Sequence, residues 1–190
     1  MNGKIIVFSG FSGVGKNTII NELKNKYPDL IYIPSMTTRK MRAGETEGFP
    51  YFFVDRDEFK SRIANNYFIE YEEVHENWYG TPKDKYYEAI ENNLTAVKDI
   101  DVNGAVAMKQ EFGDNTVLVY IEPPSIDELK HRLLTRGDNS DDIIRRLKRV
   151  DYELSKKPLF DEVVVNDDLE KAVLKCEELL LKYAKGITPS

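Results

Sequence analysis

A chain of 190 residues suits a single domain, and at that length about 70% of the unfolded surface becomes buried, so the core needs neither disulfides nor metals. No apolar run approaches the roughly 20 residues of a membrane span, and a net charge of -6 argues against a nucleic-acid polymer as partner. The start of the chain does not read as a signal peptide, and the single cysteine, Cys176, excludes an internal disulfide. We therefore expect a cytoplasmic protein without a membrane partner.

Short apolar runs alternate with helical patterns along the chain. The runs predict strands at 4–9, 30–33, 51–54, 67–74, 95–100, 116–121 and 162–165. Helical periodicity, capping residues and prolines predict helices at about 16–27, 55–63, 81–92, 102–112, 125–135, 142–157 and 169–183. Cys176 falls in the apolar stripe of the last helix, and we interpret it as a core residue.

The alternation predicts an α/β fold with a parallel sheet covered by helices on both faces. The segment from about 34 to 90 breaks the pattern with short strands and with a loop rich in proline and glycine at 34–50. We expect this segment to be an insertion within the one domain.

A glycine-rich turn between the first strand and the first helix predicts a P-loop. Its glycines let backbone N–H groups converge on a triphosphate at the positive end of the helix, and the lysine that follows reaches the β- and γ-phosphates. The predicted nucleotide-binding residues are Gly10, Ser12, Gly13, Val14, Gly15, Lys16, Asn17 and Thr18.

One position departs from the P-loop pattern. The pattern has Ser or Thr after the lysine, where the hydroxyl binds Mg²⁺, and this chain has Asn17. An amide oxygen is also a ligand for a hard cation, so we expect a weakened Mg²⁺ site with Asn17 as its ligand.

The loop after the second strand carries arginines and hydroxyls. Arg39 and Arg42 lie within a stretch that begins at Ser35 and ends at Glu45. Arginine forks bind a monophosphate bidentately, whereas arginines of an ordinary loop face water.

Seven motifs then follow one another in the order and spacing of guanylate kinases, and several are specific to that family. They are the P-loop at 10–18, Ser35–Glu45, Tyr51–Val54, Phe68–Tyr71, Tyr79–Pro82, Asp99–Gly104 and Val165–Asp168. The chain resembles this family over essentially its whole length. The resemblance implies phosphoryl transfer from ATP to GMP, with dGMP left open as an acceptor, and Mg²⁺ as the cofactor.

The same resemblance implies three parts. A P-loop core spans about 1–34, 94–125 and 150–190, a small α+β subdomain at about 35–90 binds GMP, and a lid at about 126–150 closes over ATP. It also implies the residues that bind GMP. Ser35, Arg39, Arg42, Tyr51 and Tyr79 correspond to residues that hold its phosphate, Glu70 and Thr81 to residues that read guanine, and Glu45, Asp99 and Asp101 complete the set.

The chemistry of guanine supports the role of Glu70. Guanine presents an N1–H and an N2 amine side by side, which one carboxylate accepts together, whereas adenine has an acceptor at N1. Adenine would leave the carboxylate badly paired, at a cost of roughly 1–3 kcal/mol or more. Without the motifs around it, Glu70 would read as an exposed carboxylate on a strand.

Acidic residues end the strand at 95–100. Asp99 and Asp101 stand where carboxylates of parallel sheets commonly meet cations and ligands, and Asp101 is also a helix N-cap candidate. By resemblance they lie near Mg²⁺ and the acceptor. Lys98 is a charge in an otherwise apolar strand, and the sequence offers no account of it.

Arginines are concentrated at 132–149. By resemblance Arg132, Arg136 and Arg146 point at the phosphates when the lid closes and act in catalysis together with Lys16, although Arg145 is an alternative to Arg146. We expect His75 and His131 to be surface residues without a catalytic role, because the attacking phosphate is already ionised.

Two other functions stay open. One is a related kinase for another phosphorylated acceptor, such as a ribose bisphosphate, which the pair Glu70 and Thr81 disfavours. The other is a non-catalytic interaction module that resembles the enzyme and binds peptides. Only Asn17 points to such a module, since Lys16 and the P-loop glycines are present.

Overall fold

The computed structural model describes residues 3–48, 51–74, 76–135, 140–184 and 187–189. The strands are β1 (Lys4–Gly10), β2 (Ile31–Tyr32), β3 (Ser35–Thr37), β4 (Tyr51–Phe53), β5 (Phe68–Val74), β6 (Asn77–Pro82), β7 (Thr95–Asp99), β8 (Thr116–Glu122) and β9 (Glu162–Val165). The helices are α1 (Lys16–Lys26), α2 (Arg56–Ala64), α3 (Asp84–Glu91), α4 (Val102–Phe112), α5 (Ile126–Thr135), α6 (Ser140–Leu147), α7 (Val150–Lys156) and α8 (Leu169–Tyr183). None of the helices within these ranges has the length and apolarity that a membrane span needs.

The larger sheet has five parallel strands in the order β2-β7-β1-β8-β9. Successive side chains of a strand point to opposite faces, and this alternation divides the core. Ile6, Phe8 and Val97 pack in one apolar cluster with residues of α1, α5 and α8. Ile5 and Val7 pack in a second cluster with residues of α3 and α4. The α/β class with helices on both faces is thereby confirmed.

A second, mixed sheet lies in the predicted insertion, with the strand order β4-β3-β6-β5. Its own small core contains Met36, Phe59 and Phe68, and the rings of the two phenylalanines stack at 4.5 Å. Helix α3 also falls within the predicted insertion, but its buried residues pack on the five-stranded sheet. The boundaries of core, subdomain and lid stay predictions.

Three local predictions were wrong. Strand β3 forms where we expected a loop, because Met36 is buried and the strand pairs with both β4 and β6. The pair Thr81 and Pro82 does not start a helix, because it ends β6, opposite β5, and α3 begins at Asp84. The single helix predicted at 142–157 is two helices, because the chain makes a tighter turn after α6, where the Arg149 N–H donates to the Arg146 carbonyl.

Other local expectations are confirmed. Asp55 and Ser125 accept hydrogen bonds from the backbone N–H groups of Glu58 and Glu128, as capping residues do. Cys176 is buried in the core, where burial raises the pKa of its thiol to about 12. Among the two histidines, His131 is exposed on α5, and His75 lies outside the described residues.

Candidate active site

The loop between β1 and α1 requires glycine at two positions. Gly10 and Gly15 have positive φ angles of 123° and 98°. A Cβ on Gly10 would lie 2.0 Å from the Ile121 carbonyl oxygen, and one on Gly15 would lie 2.5 Å from Nδ2 of Asn166. Side chains at these positions would therefore push the loop off the end of the sheet. Gly13, between them, also has a positive φ, of 85°.

Lys16 is the first residue of α1, and its ammonium folds back over the loop. Its Nζ donates to the carbonyl oxygens of Gly10 and Phe11 at 2.8 and 2.9 Å. Burial lowers the pKa of Lys16, and the carboxylates of Asp99 and Glu153 oppose this effect. The ammonium and the unpaired N–H groups of the first helical turn thus concentrate positive potential at one point.

A cleft of about 520 Å³ opens in front of this loop. It is lined by Gly10, Ser12, Gly13, Gly15, Lys16, Asn17, Thr18, Asp99, Ile100, Asp101, Arg149 and Glu153. Seven of the eight residues that we predicted to bind the triphosphate therefore line this one cleft. Val14, the eighth, is buried behind it. Asp101 also caps α4, because its Oδ1 accepts from the N–H groups of Asn103 and Gly104.

Two charged residues of the cleft were not assigned from the sequence. Arg149 lies between two carboxylates, 3.8 Å from Asp101 and 3.9 Å from Glu153. Burial raises the pKa of Glu153, while Arg149 and Lys16 lower it. Arg149 belongs to the arginine-rich segment at 132–149, but we assigned it no role from the sequence. The only sequence signal for Glu153 was its position four residues after Arg149 in a predicted helix, a spacing that places the two side chains on the same helix face.

Asn166 fixes the loop from behind. Its Nδ2 donates to the Val14 carbonyl at 2.8 Å, and its backbone N–H donates to the Glu122 carbonyl at 2.8 Å. Its own carbonyl accepts from Nη1 of Arg132 at 2.9 Å, and Arg132 is held in turn by Glu128. The predicted catalytic residue Arg132 is thus anchored to the segment that supports the P-loop. Asn166 stood inside a family motif, but we did not predict this contact.

The other predicted arginines differ in their surroundings. The Arg146 guanidinium donates to Oγ of Ser12 in the P-loop. It lines a smaller cavity of about 250 Å³ that also contains Phe11 and Leu129. Arg145 is exposed. Arg136 lies outside the described residues.

The loop at 35–45 holds Arg39 in a fork. Both terminal nitrogens of Arg39 donate to the Glu45 carboxylate, at 2.8 and 3.0 Å. Hydrogen bonds from Arg39 and from the Arg42 backbone N–H lower the pKa of Glu45. The Arg39 guanidinium also lies over the Tyr51 ring at 5.4 Å, and Tyr51 packs edge-on against Tyr79 at 5.6 Å. The side chain of Arg42 is exposed.

Glu70 is not an exposed carboxylate of an ordinary strand. The register of β5 against β6 shifts between Phe68 and Tyr71, and such a bulge re-aims the side chain that it contains. Glu70 accepts a hydrogen bond of 2.6 Å from Oγ1 of Thr81, which is fully buried. Burial raises the pKa of Glu70, and the Thr81 hydrogen bond lowers it.

Asp101 links the residues predicted to bind ATP with those predicted to bind GMP. It lines the P-loop cleft, where burial lowers the pKa of Lys16 and the charge of Asp101 opposes this effect; at Glu70, burial raises the pKa and the charge of Asp101 adds to it. Asp99 is a second connection, because it lines the cleft and adds to the rise that burial causes in the pKa of Tyr51. The sites predicted for the two nucleotides therefore adjoin at the end of β7.

A glycine cradle and a lysine at the end of the central strand of a parallel sheet define the class of P-loop nucleotide-binding proteins. Comparison with known families narrows this class. The model of the guanylate kinase family matches residues 2–183. The chain belongs to the guanylate kinase family.

Individual relatives agree with this assignment. The chain is 40% identical over 185 residues to the guanylate kinase of Bacteroides thetaiotaomicron, covering 96% of this chain and 91% of the relative. It is 45% identical over 172 residues to that of Chlorobaculum tepidum, covering 90% and 88%. The crystal structure of guanylate kinase from Anaplasma phagocytophilum is similar with a TM-score of 0.75 at 31% identity, covering 98% of this chain and 90% of that one.

Proposed function

We propose that this enzyme transfers the γ-phosphoryl group of ATP to GMP and so forms ADP and GDP. The observation that carries the proposal is the hydrogen-bonded pair of the partly buried Glu70 and the buried Thr81, in a member of the guanylate kinase family that also has a P-loop cleft. A P-loop alone indicates only that a nucleoside triphosphate is bound. Glu70 adds an acceptor for the two adjacent donors of guanine.

On the donor side, the P-loop binds the phosphates of ATP. The backbone N–H groups of the loop surround the phosphates, and the Lys16 ammonium exchanges the carbonyls of Gly10 and Phe11 for phosphate oxygens. Arg146, next to Ser12, adds charge from the opposite side of the loop. Arg132 and Arg136 are the further catalytic arginines of the proposal.

The donor set of the cleft fits Mg²⁺. Asn17, Asp99 and Asp101 supply amide and carboxylate oxygens within one space, and Mg²⁺ typically takes one or two carboxylates along with phosphate oxygens and water. When bound, Mg²⁺ neutralises charge on the phosphates of ATP.

On the acceptor side, the fork of Arg39 and Glu45 positions a guanidinium for the GMP phosphate. Three of its N–H groups donate to the Glu45 carboxylate and the Lys40 carbonyl, and a guanidinium carries five, which leaves donor capacity for the phosphate. Arg42, Ser35, Tyr51 and Tyr79 complete this set. Glu70 and Thr81 receive the guanine ring.

The transfer itself needs positioning and charge stabilisation more than covalent help. A phosphate oxygen of GMP attacks the γ-phosphorus in line, while Lys16 and the arginines stabilise the charge of the transferring group. No general base is required because the attacking oxygen is ionised. Closure of the segment at 126–150 would exclude water and so prevent hydrolysis of ATP.

An acceptor panel tests the proposal. The purified protein is incubated with ATP, Mg²⁺ and GMP, dGMP, AMP, CMP, UMP or a ribose bisphosphate, and the products are separated by chromatography. We expect GDP from GMP and little product from AMP, CMP or UMP. Product from the ribose bisphosphate alone would replace the proposal with the related kinase, and binding of GMP without product would favour the interaction module. The cytoplasmic location stays a prediction.

A further inference from the structure

Lys98 is a buried ammonium in an apolar strand. It is 2% exposed, and its neighbours Ala96 and Val97 in β7 are fully buried. A buried charge destabilises a fold unless hydrogen bonds and counter-charges compensate it. For packing alone, an apolar side chain would suit this position of the strand. Residues that break such a local rule are concentrated at functional sites.

The alternation of β7 separates Lys98 from the aspartate that follows it. Ala96 belongs to the apolar cluster on the α3 and α4 face, and Val97 to the cluster on the α1 face. Lys98 therefore shares the face of Ala96, whereas Asp99 shares the face of Val97 and lines the P-loop cleft. The end of β7 thus carries the Asp99 carboxylate on the face of the P-loop cleft and the Lys98 ammonium on the opposite face of the sheet.

On that face Lys98 reaches the first residue of β3. Its Nζ lies 2.7 Å from Oγ of Ser35 and 3.3 Å from the Ile33 carbonyl oxygen. An ammonium has donors and no acceptor, so Ser35 Oγ accepts in this pair. The hydroxyl has a single hydrogen, which therefore points away from Lys98 and is available to another acceptor.

We propose that Lys98 is a positioning residue that fixes Ser35 as a hydrogen-bond donor to the phosphate of the acceptor nucleotide. The inference rests on the proposed function, because it takes that phosphate as the ligand of Ser35. Without the ammonium, the hydroxyl rotates freely and has no fixed direction.

The charges around Lys98 support this role. Burial lowers the pKa of Lys98, and the nearby carboxylates of Asp99 and Glu70 oppose this effect. A doubly charged phosphate entering beside these carboxylates is repelled by them. A fixed cation at Lys98 offsets that repulsion, at a point where a mobile surface lysine would be screened by water.

A double-mutant cycle tests the proposal. Lys98→Met, Ser35→Ala and the double variant are compared with the wild type in steady-state assays with GMP and ATP, and Lys98→Leu is made as a second apolar replacement in case Lys98→Met does not fold. Lys175→Met, which removes an exposed lysine paired with Glu178 on α8, is the matched control. Thermal unfolding confirms that each variant is folded.

We expect Lys98→Met to raise KM for GMP about tenfold while KM for ATP stays within twofold. In the Ser35→Ala background the same substitution should add less than twofold, because Lys98 acts through the hydroxyl. Equal effects in both backgrounds, or an unchanged KM for GMP in a folded variant, would overturn the inference.

The wild type in the same assay separates this inference from the function on which it rests. If the wild type forms no GDP, the proposed function fails. The cycle is then read from calorimetric dissociation constants for GMP, which should show the same coupling between Lys98 and Ser35. If GMP does not bind to the wild type at all, the inference is overturned as well.

Discussion

Replacing Glu70 by glutamine tests how the enzyme selects its base. Glu70 presents two carboxylate oxygens, of which Oε1 already accepts from Thr81 at 2.6 Å. In Glu70→Gln one oxygen becomes an NH₂ group, so one donor of guanine faces a donor. Loss of a hydrogen bond to a charged group costs about 1.5–3 kcal/mol, which corresponds to about a 10- to 150-fold decrease in kcat/KM for GMP.

The assay is kcat/KM for GMP and for AMP, measured in the wild type, in Glu70→Gln and in Glu73→Gln. Glu73 lies on the same strand, is exposed, and provides the matched control. The ratio of GMP to AMP activity should fall in Glu70→Gln only. A ratio within threefold of the wild type in Glu70→Gln would refute the assignment of Glu70 to the guanine ring.

The pH dependence of the same variants gives a second measurement. Guanine needs the carboxylate form of Glu70, and burial raises the pKa of this group above its ordinary value of 4.5. As the pH falls, KM for GMP should therefore begin to rise at a higher pH than for an exposed glutamate. The GMP phosphate titrates near pH 6 in every variant, so the informative quantity is the ratio of wild-type to Glu70→Gln KM, which should rise as the pH falls.

Three further substitutions have defined outcomes. Lys16→Met should lower kcat on the order of 10²–10³-fold, because it removes the ammonium that binds the phosphates; a kcat within tenfold of the wild type contradicts this. Asn166→Ala should lower the free energy of unfolding by about 1–3 kcal/mol in urea titrations, because the Val14 carbonyl loses its donor, whereas Asp167→Ala, an exposed neighbour, should have little effect. Asn17→Ser should lower the Mg²⁺ concentration for half-maximal activity, and an unchanged Mg²⁺ titration removes Asn17 from the metal site.

Much of the fold follows from local sequence signals. Helix α4 and strand β9 have the bounds that the sequence predicts, because each is delimited by capping residues, glycine or a polar turn. Strand β3 was missed because three residues carry no periodicity of their own. Its pairing partners in β4 and β6 are distant in sequence and exist only after folding.

The candidate site likewise has a part that the sequence predicts and a part that it does not. The P-loop is recognisable from sequence because glycines and a lysine at fixed spacing must meet a helix N-terminus. The contacts of Glu153 and Lys98 depend instead on packing between remote segments. The sequence did not explain the charge of Lys98 in an apolar strand, because its hydrogen-bond partner, Ser35, is 63 residues earlier in the chain. The individual roles of the site residues stay predictions until the variants are measured.

The hydrogen bond from Asn166 to Val14 joins residues that are 152 positions apart. Ribosomes build a chain from its N-terminus, so the segment at 10–16 leaves the ribosome long before the side chain that fixes it. The P-loop therefore gains this support only after residue 166 has emerged. A nascent or prematurely terminated chain that lacks residue 166 would contain the entire P-loop sequence and still lack the hydrogen bond that supports the loop in the folded protein.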